Sequence, residues 1–177
     1  RRLTAACAWR TFACCANPVD AAVYLSERVN KMQGTVVAVC TSSQKGQRKV
    51  DVGTAMLIAG LGMEGDAHAG FAHRQISLLS VASIDKMKQK CGELVPGDFA
   101  ENLTVEGLDL PALPVGTVLH IGETVLKVSQ IGKECHHGCE VMKAVGDCVM
   151  PREGIFATVE QGGRISRGDR VEVIGLV

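Results

Sequence analysis

Aromatic residues are nearly missing from this chain, with one Trp, one Tyr and four Phe among 177 residues. The core must therefore be built from Val, Ile, Leu, Met and Ala. Net charge is missing too, since 19 Lys and Arg balance 19 Asp and Glu. That balance argues against the broad basic face of a nucleic-acid binder and the polybasic patch of a membrane-surface protein, while leaving room for a small local anion site. No apolar run reaches the ~18 residues that read as a membrane-spanning helix. There is no Walker loop, no G-x-G-x-x-G opening a helix, no G-x-S-x-G elbow and no H-E-x-x-H, so nothing points to a nucleotide enzyme or a serine hydrolase.

Glycine and cysteine are plentiful by contrast. Twenty glycines, all after residue 33, separate short apolar runs and read as many tight turns. The eight cysteines, at 7, 14, 15, 40, 91, 135, 139 and 148, lack the regular spacing of a small secreted scaffold. Arg10 interrupts the apolar stretch that follows Arg1-Arg2, leaving no clean signal-peptide core. The expectation is a cytoplasmic protein with reduced thiols. Cys40, which ends the apolar run from Val36, reads as a buried small hydrophobe.

Residues 1–31 differ in pattern from the remainder and are expected to form a partly helical appendage. Asn17-Pro18-Val19-Asp20 supplies a cap, a first-turn proline and an acid for a helix over about Pro18–Asn30. From residue 34 to 177 the chain reads as one mostly β domain with a few short helices, α+β by content. Strands are predicted at Thr35–Thr41, Thr54–Ala59, Gln75–Leu79, Asn102–Val105, Thr117–Ile121, Thr124–Ile131, Ile155–Glu160 and Arg170–Gly175. Gly122-Glu123 marks a hairpin turn. Helical pattern is confined to Ala82–Lys90 and about His136–Val145. Strands outnumber helices without regular β-α-β alternation, which predicts a closed or partly open antiparallel β-barrel.

Three clusters carry polar side chains suited to chemistry. In Gly65-Asp66-Ala67-His68-Ala69-Gly70, Asp66 and His68 alternate and can face one side of an extended segment. This fits a metal site, an Asp that orients a His, or a turn whose side chains bond locally. In Gly97-Asp98-Phe99-Ala100-Glu101-Asn102, Glu101 and Asn102 gather hydrogen-bonding groups where a strand starts, and Phe99 plugs the core. The third cluster is Lys133-Glu134-Cys135-His136-His137-Gly138-Cys139, followed by Cys148 and Pro151-Arg152. A helix beginning near His136 would put Cys135 at its N-terminus, where the dipole favours a thiolate, aided by Lys133, His136 and Arg152. Cys135, His136 and Cys139 also admit a zinc site, although the spacing is not Cys-x-x-Cys, or simply inert cysteines.

These same blocks, in order with Arg74-Gln75-Ile76-Ser77-Leu78-Leu79 and Pro151-Arg152-Glu153-Gly154-Ile155-Phe156-Ala157, resemble the MOSC domain, the module named for the C-terminal part of molybdenum-cofactor sulfurases. The likeness runs from about Gly34 to Val177. It implies a strongly bent barrel related to the pyruvate-kinase barrel, a molybdenum–pterin cofactor or its sulfur donor as partner, and Cys135 as sulfur carrier or molybdenum ligand. Arg74 and Arg152 become candidates for the acidic groups of the cofactor, with Asp66, His68, Glu101, Asn102, Lys133 and His136 lining or bracing the pocket. The chain shows no pyridoxal-phosphate site of the larger sulfurases. The expected function is cofactor binding, or carriage of a persulfide on Cys135. The alternatives are a molybdenum-dependent reductase component for N-hydroxylated compounds, served by separate redox partners, and a non-enzymatic metal- or small-molecule-binding module.

Overall fold

Residues 32–135, 142–143 and 146–175 are described by a computed structural model, within the unit Lys31–Val177. The helix expected over Pro18–Asn30, all of His136–Val141, and Cys139 with them lie outside the described residues. In chain order the strands are β1 (Gln33–Thr41), β2 (Val50–Asp51), β3 (Thr54–Ile58), β4 (Gly62–Met63), β5 (Ile76–Ser80), β6 (Leu103–Glu106), β7 (Val118–Ile121), β8 (Thr124–Ile131), β9 (Ile155–Gln161), β10 (Gly163–Ser166) and β11 (Arg170–Gly175). Helix α1 (Val81–Cys91) lies between β5 and β6, and the short α2 (Met150–Glu153) precedes β9.

Seven strands close a barrel in the order β11-β7-β8-β9-β5-β6-β1, with β1 returning to β11 through Gln33↔Glu172, Gly34↔Val171 and Thr35↔Arg170. Closure removes the unpaired edges that an open sheet would present. Strands β10, β3 and β4 form a separate three-stranded sheet, and β2 pairs with the far end of β1. The predicted hairpin is present, with Ile121 opposite Thr124 across Gly122-Glu123.

One pairing departs from the antiparallel expectation. β5 and β6 run parallel, with Leu78 opposite Leu103, because α1 carries the chain back across the barrel wall between them. Ser80 caps this helix by accepting from the Ser83 amide at 3.1 Å, Lys88 and Lys90 occupy its last turn, and Gly92 ends it. Ser83, Ile84 and Met87 face inward at helical spacing.

Two apolar clusters result. The first fills the barrel and includes Val36, Leu78, Leu103, Leu119, Leu126, Ile155 and Val171. The second lies under α1 and joins Leu79, Ile84, Met87, Leu94, Phe99, Cys148, Met150 and Phe156. No helix among the described residues is long and apolar enough to cross a membrane.

Candidate functional site

The second apolar cluster forms the floor of a cavity of about 300 Å³. Phe99, Cys148, Met150 and Phe156 provide apolar surface, while His68, Arg74, Asn102, Lys133, Glu134 and Cys135 bring polar groups. Lys45 and Gly46, on the loop between β1 and β2, complete one side together with Phe71. The chain thus brings Cys135 into one space with Arg74, His68, Asn102 and Lys133. Cationic or protonatable groups outnumber the one carboxylate, Glu134, in this lining.

The segment after β4 is fixed by Asp66. Its Oδ1 accepts from the His68 amide at 2.9 Å and lies 3.3 Å from His68 Nδ1. Its Oδ2 receives Lys49 Nζ at 2.7 Å, Asn102 Nδ2 at 3.1 Å, Thr41 Oγ1 at 3.2 Å and the Ser42 amide at 3.3 Å. Burial would raise this carboxyl, but the His68 hydrogen bond and the Lys49 ammonium outweigh it and hold Asp66 well below the usual carboxylate range. For Lys49, burial outweighs the attraction of Asp66 and lowers its pKa. Asp66 is therefore a brace beneath the cavity that fixes one ring nitrogen of the cavity-lining His68.

Asn102 ties three elements together. Its Nδ2 donates to Asp66 and to the Cys40 carbonyl at 3.2 Å, while its Oδ1 accepts from the amide and hydroxyl of Ser77 at 3.1 and 3.0 Å. Glu101 is fully buried and is not among the cavity-lining residues. It accepts from the amides of Gly97 (2.7 Å) and Phe99 (3.2 Å) and from Thr104 Oγ1 (3.1 Å), fastening the loop that carries Phe99. Burial still pushes its pKa up against those donors. Cys40 is a sealed core residue, as expected, with its thiol pushed up to about 12 by burial and by the Glu101 and Asp51 carboxylates.

The two arginines part company. Arg74 stacks over the Phe71 ring at 4.7 Å and lies 5.8 Å from the Phe156 ring centre. Among the described residues, its Nε is buried without a hydrogen-bond partner. A buried donor left unmatched costs about 1–3 kcal/mol, so this atom marks a place for an acceptor. Arg152 is largely exposed, pairs with Asp147 at 3.4 Å and is not in the cavity lining. It sits in the four-residue α2, and its partner Asp147 belongs to the loop just before that helix. His136 lies outside the described residues, so neither the Cys135 helix terminus nor the Cys135/His136/Cys139 zinc set is described.

Backbone contacts position Cys135. The Gly132 amide donates to the Gly154 carbonyl at 2.7 Å, and the Lys133 amide to the Pro151 carbonyl at 3.3 Å. These bonds hold the Cys135 segment beside α2. Gly132 has φ +66°, and a Cβ there would stand 2.3 Å from the Pro151 carbonyl oxygen. Gly132→Ala is expected to cost about 1–3 kcal/mol in backbone strain, with the clash in addition. Urea unfolding checks this, and an unchanged midpoint would show that the two segments are not tied here.

Sequence reasoning missed several lining residues, Lys45, Phe71, Ser77 and Met150, whereas Cys148 stood in the third cluster. It also missed Lys49. A signal existed in Lys49-Val50-Asp51-Val52, where a reading by alternation puts the valines inside. The structure reverses this, with Val50 70% and Val52 48% exposed and Lys49 only 5% exposed, because the buried Asp66 draws in a counter-ion.

A family model described as MOSC domain matches residues 65–172. Among solved structures, the YUAD protein from Bacillus subtilis superposes with a TM-score of 0.68 at 22% identity, over 80% of this chain and 96% of that one. YiiM from Escherichia coli gives 0.60 at 23% identity, over 82% of this chain and 71% of that one. YiiM from Geobacillus stearothermophilus gives 0.62 at 17%, over 80% and 75%. At these identities the likeness is one of fold. Sequence comparison with curated proteins gives no match.

Proposed function

The chain belongs to the MOSC domain family, and on that premise we propose that its cavity holds the molybdenum–pterin cofactor and receives sulfur on Cys135 as a persulfide for metal–sulfur cofactor assembly. The observation that carries this reading is that Arg74, whose buried Nε is unmatched among the described residues, lines the same cavity as Cys135. The residues fit the group. A guanidinium with an open donor suits an acidic oxygen, Phe71 and Phe156 offer flat apolar walls, and Lys133 and Lys45 add positive charge. A thiolate is a soft donor suited to molybdenum or to sulfane sulfur. Once bound, the cofactor would supply molybdenum-centred redox and sulfur chemistry. The protein's own residues hold its acidic end, shield it from water and present the thiol.

Two measurements on the full chain test the proposal. Protein expressed with molybdate is assayed for molybdenum and for pterin fluorescence, and Arg74→Ala is expected to retain about ten- to hundredfold less of both, as loss of a charge-assisted bond implies. Separately, intact mass after incubation with a persulfide donor is expected to rise by one sulfur atom, and Cys135→Ser to lose that gain. A Cys135→Ser protein that still gains the sulfur and still retains cofactor would overturn the reading.

A further inference from the structure

Cys148 shares the cavity with Cys135, and no role for it follows from the function proposed above. The two thiols differ in access. Cys135 is half-buried at the end of the described loop, whereas Cys148 is 4% exposed within the apolar cluster that includes Leu79, Phe99 and Phe156. A bulky sulfur donor therefore reaches Cys135 more readily than it reaches Cys148. The residues leading into Cys135 are tied to the α2 segment that follows Cys148 by the Gly132–Gly154 and Lys133–Pro151 backbone bonds, and a Cβ at Gly132 would break that approach.

We propose that Cys148 is the resolving thiol for Cys135. Sulfur accepted on Cys135 stands as a persulfide, Cys–S–SH. The Cys148 sulfur attacks the Cys135 sulfur, the bond to the outer sulfur breaks, and a Cys135–Cys148 disulfide forms. The outer sulfur takes the electron pair of the broken bond and the Cys148 proton, and leaves as hydrogen sulfide. Two thiol sulfurs have then been oxidised to a disulfide and one sulfane sulfur reduced to sulfide. A dithiol reductant resets the pair. The release step rests on the sulfur-carrier reading, while the pairing of the thiols does not.

The test therefore has two arms on the full chain. In the first, protein without added sulfur is treated with diamide, which takes two hydrogens from a thiol pair. Peptides are then mapped without reduction, and fragment ions tell Cys135 from Cys139 within their shared tryptic peptide. The expected product is a Cys135–Cys148 link; a link that avoids Cys148 overturns the pairing, because a disulfide needs Cα atoms within about 7 Å. In the second arm, sulfur-loaded protein is followed by intact mass and by sulfide release. Wild type is expected to lose the added sulfur and two hydrogens as it releases one sulfide. In Cys148→Ser, with Cys148→Ala as a second variant should the hydroxyl disturb the core, the persulfide is expected to outlive that of wild type by about tenfold or more. Equal lifetimes overturn the release step. If wild type gains no sulfur, the carrier reading falls and the first arm alone still decides the pairing.

Discussion

Asp66→Ala is expected to lower folding stability by about 3–5 kcal/mol, because it leaves the Lys49 ammonium in the interior without its counter-ion. The two side chains are only 2% and 1% exposed, so solvent screens the pair little. Thr41, Asn102 and His68 lose an acceptor at the same time. The pH dependence has a definite sign. In the wild type, the Asp66 carboxyl lies below its unfolded value. Its contribution is fully present above the ordinary carboxylate range and is lost as pH falls through that range towards its own lower pKa. Glu101, raised by burial, works the other way and is relieved as acid protonates it. In the variant, Lys49 has only its lowered pKa to respond with. The unfolded chain then binds more protons than the folded one, so stability should climb as pH rises and Lys49 becomes neutral. Urea unfolding at neutral and at alkaline pH measures both effects. A loss below about 1 kcal/mol, or a pH-independent loss, would mean that water reaches the ammonium and the brace is a surface pair.

Phe99→Ala is expected to cost about 3–5 kcal/mol, the range for emptying a buried aromatic site. Phe99 is 1% exposed and belongs both to the cluster beneath α1 and to the cavity wall. Phe156 is already packed in the same cluster and Phe71 is 40% exposed, so neither ring can refill the space without vacating its own place. Its loop is fastened by Glu101 and cannot collapse far without stretching the Gly97 and Phe99 amide bonds. Phe99→Leu should recover much of the loss by restoring apolar volume. Equal stability of the wild type and the alanine variant would show that the wall relaxes inward and that the loop is softer than its hydrogen bonds imply.

Much of the barrel could be read from the sequence because its strands are long and alternate cleanly. β1, β8 and β11 lie close to where the pattern puts them, and Gly122-Glu123 turns the chain as expected. Of the strands that escaped, β2 and β4 are two residues long, too short for alternation to register, and β10 starts within Gly162-Gly163, which reads as a turn. α2 escaped for a related reason, since Pro151 in a four-residue helix reads as a turn. In the site, Asp66, His68 and Asn102 were legible as polar groups amid glycine and apolar neighbours. Their division of labour was not. Whether a carboxylate lines a pocket or braces it depends on donors distant in sequence, such as Lys49 for Asp66 and Thr104 for Glu101. Arg152 shows the converse. Its residue type suited an acidic ligand, but a nearby Asp147 claims it.

The pairing of β1 with β11 also has a kinetic consequence. During synthesis the first strand of the barrel emerges long before its neighbour, so the seam at Gln33–Thr35 stays open until Arg170–Glu172 has left the ribosome. Such a high contact order slows folding and leaves an unpaired strand edge exposed in the nascent chain. Truncation before β11 should therefore leave an aggregation-prone product rather than a slightly shorter barrel.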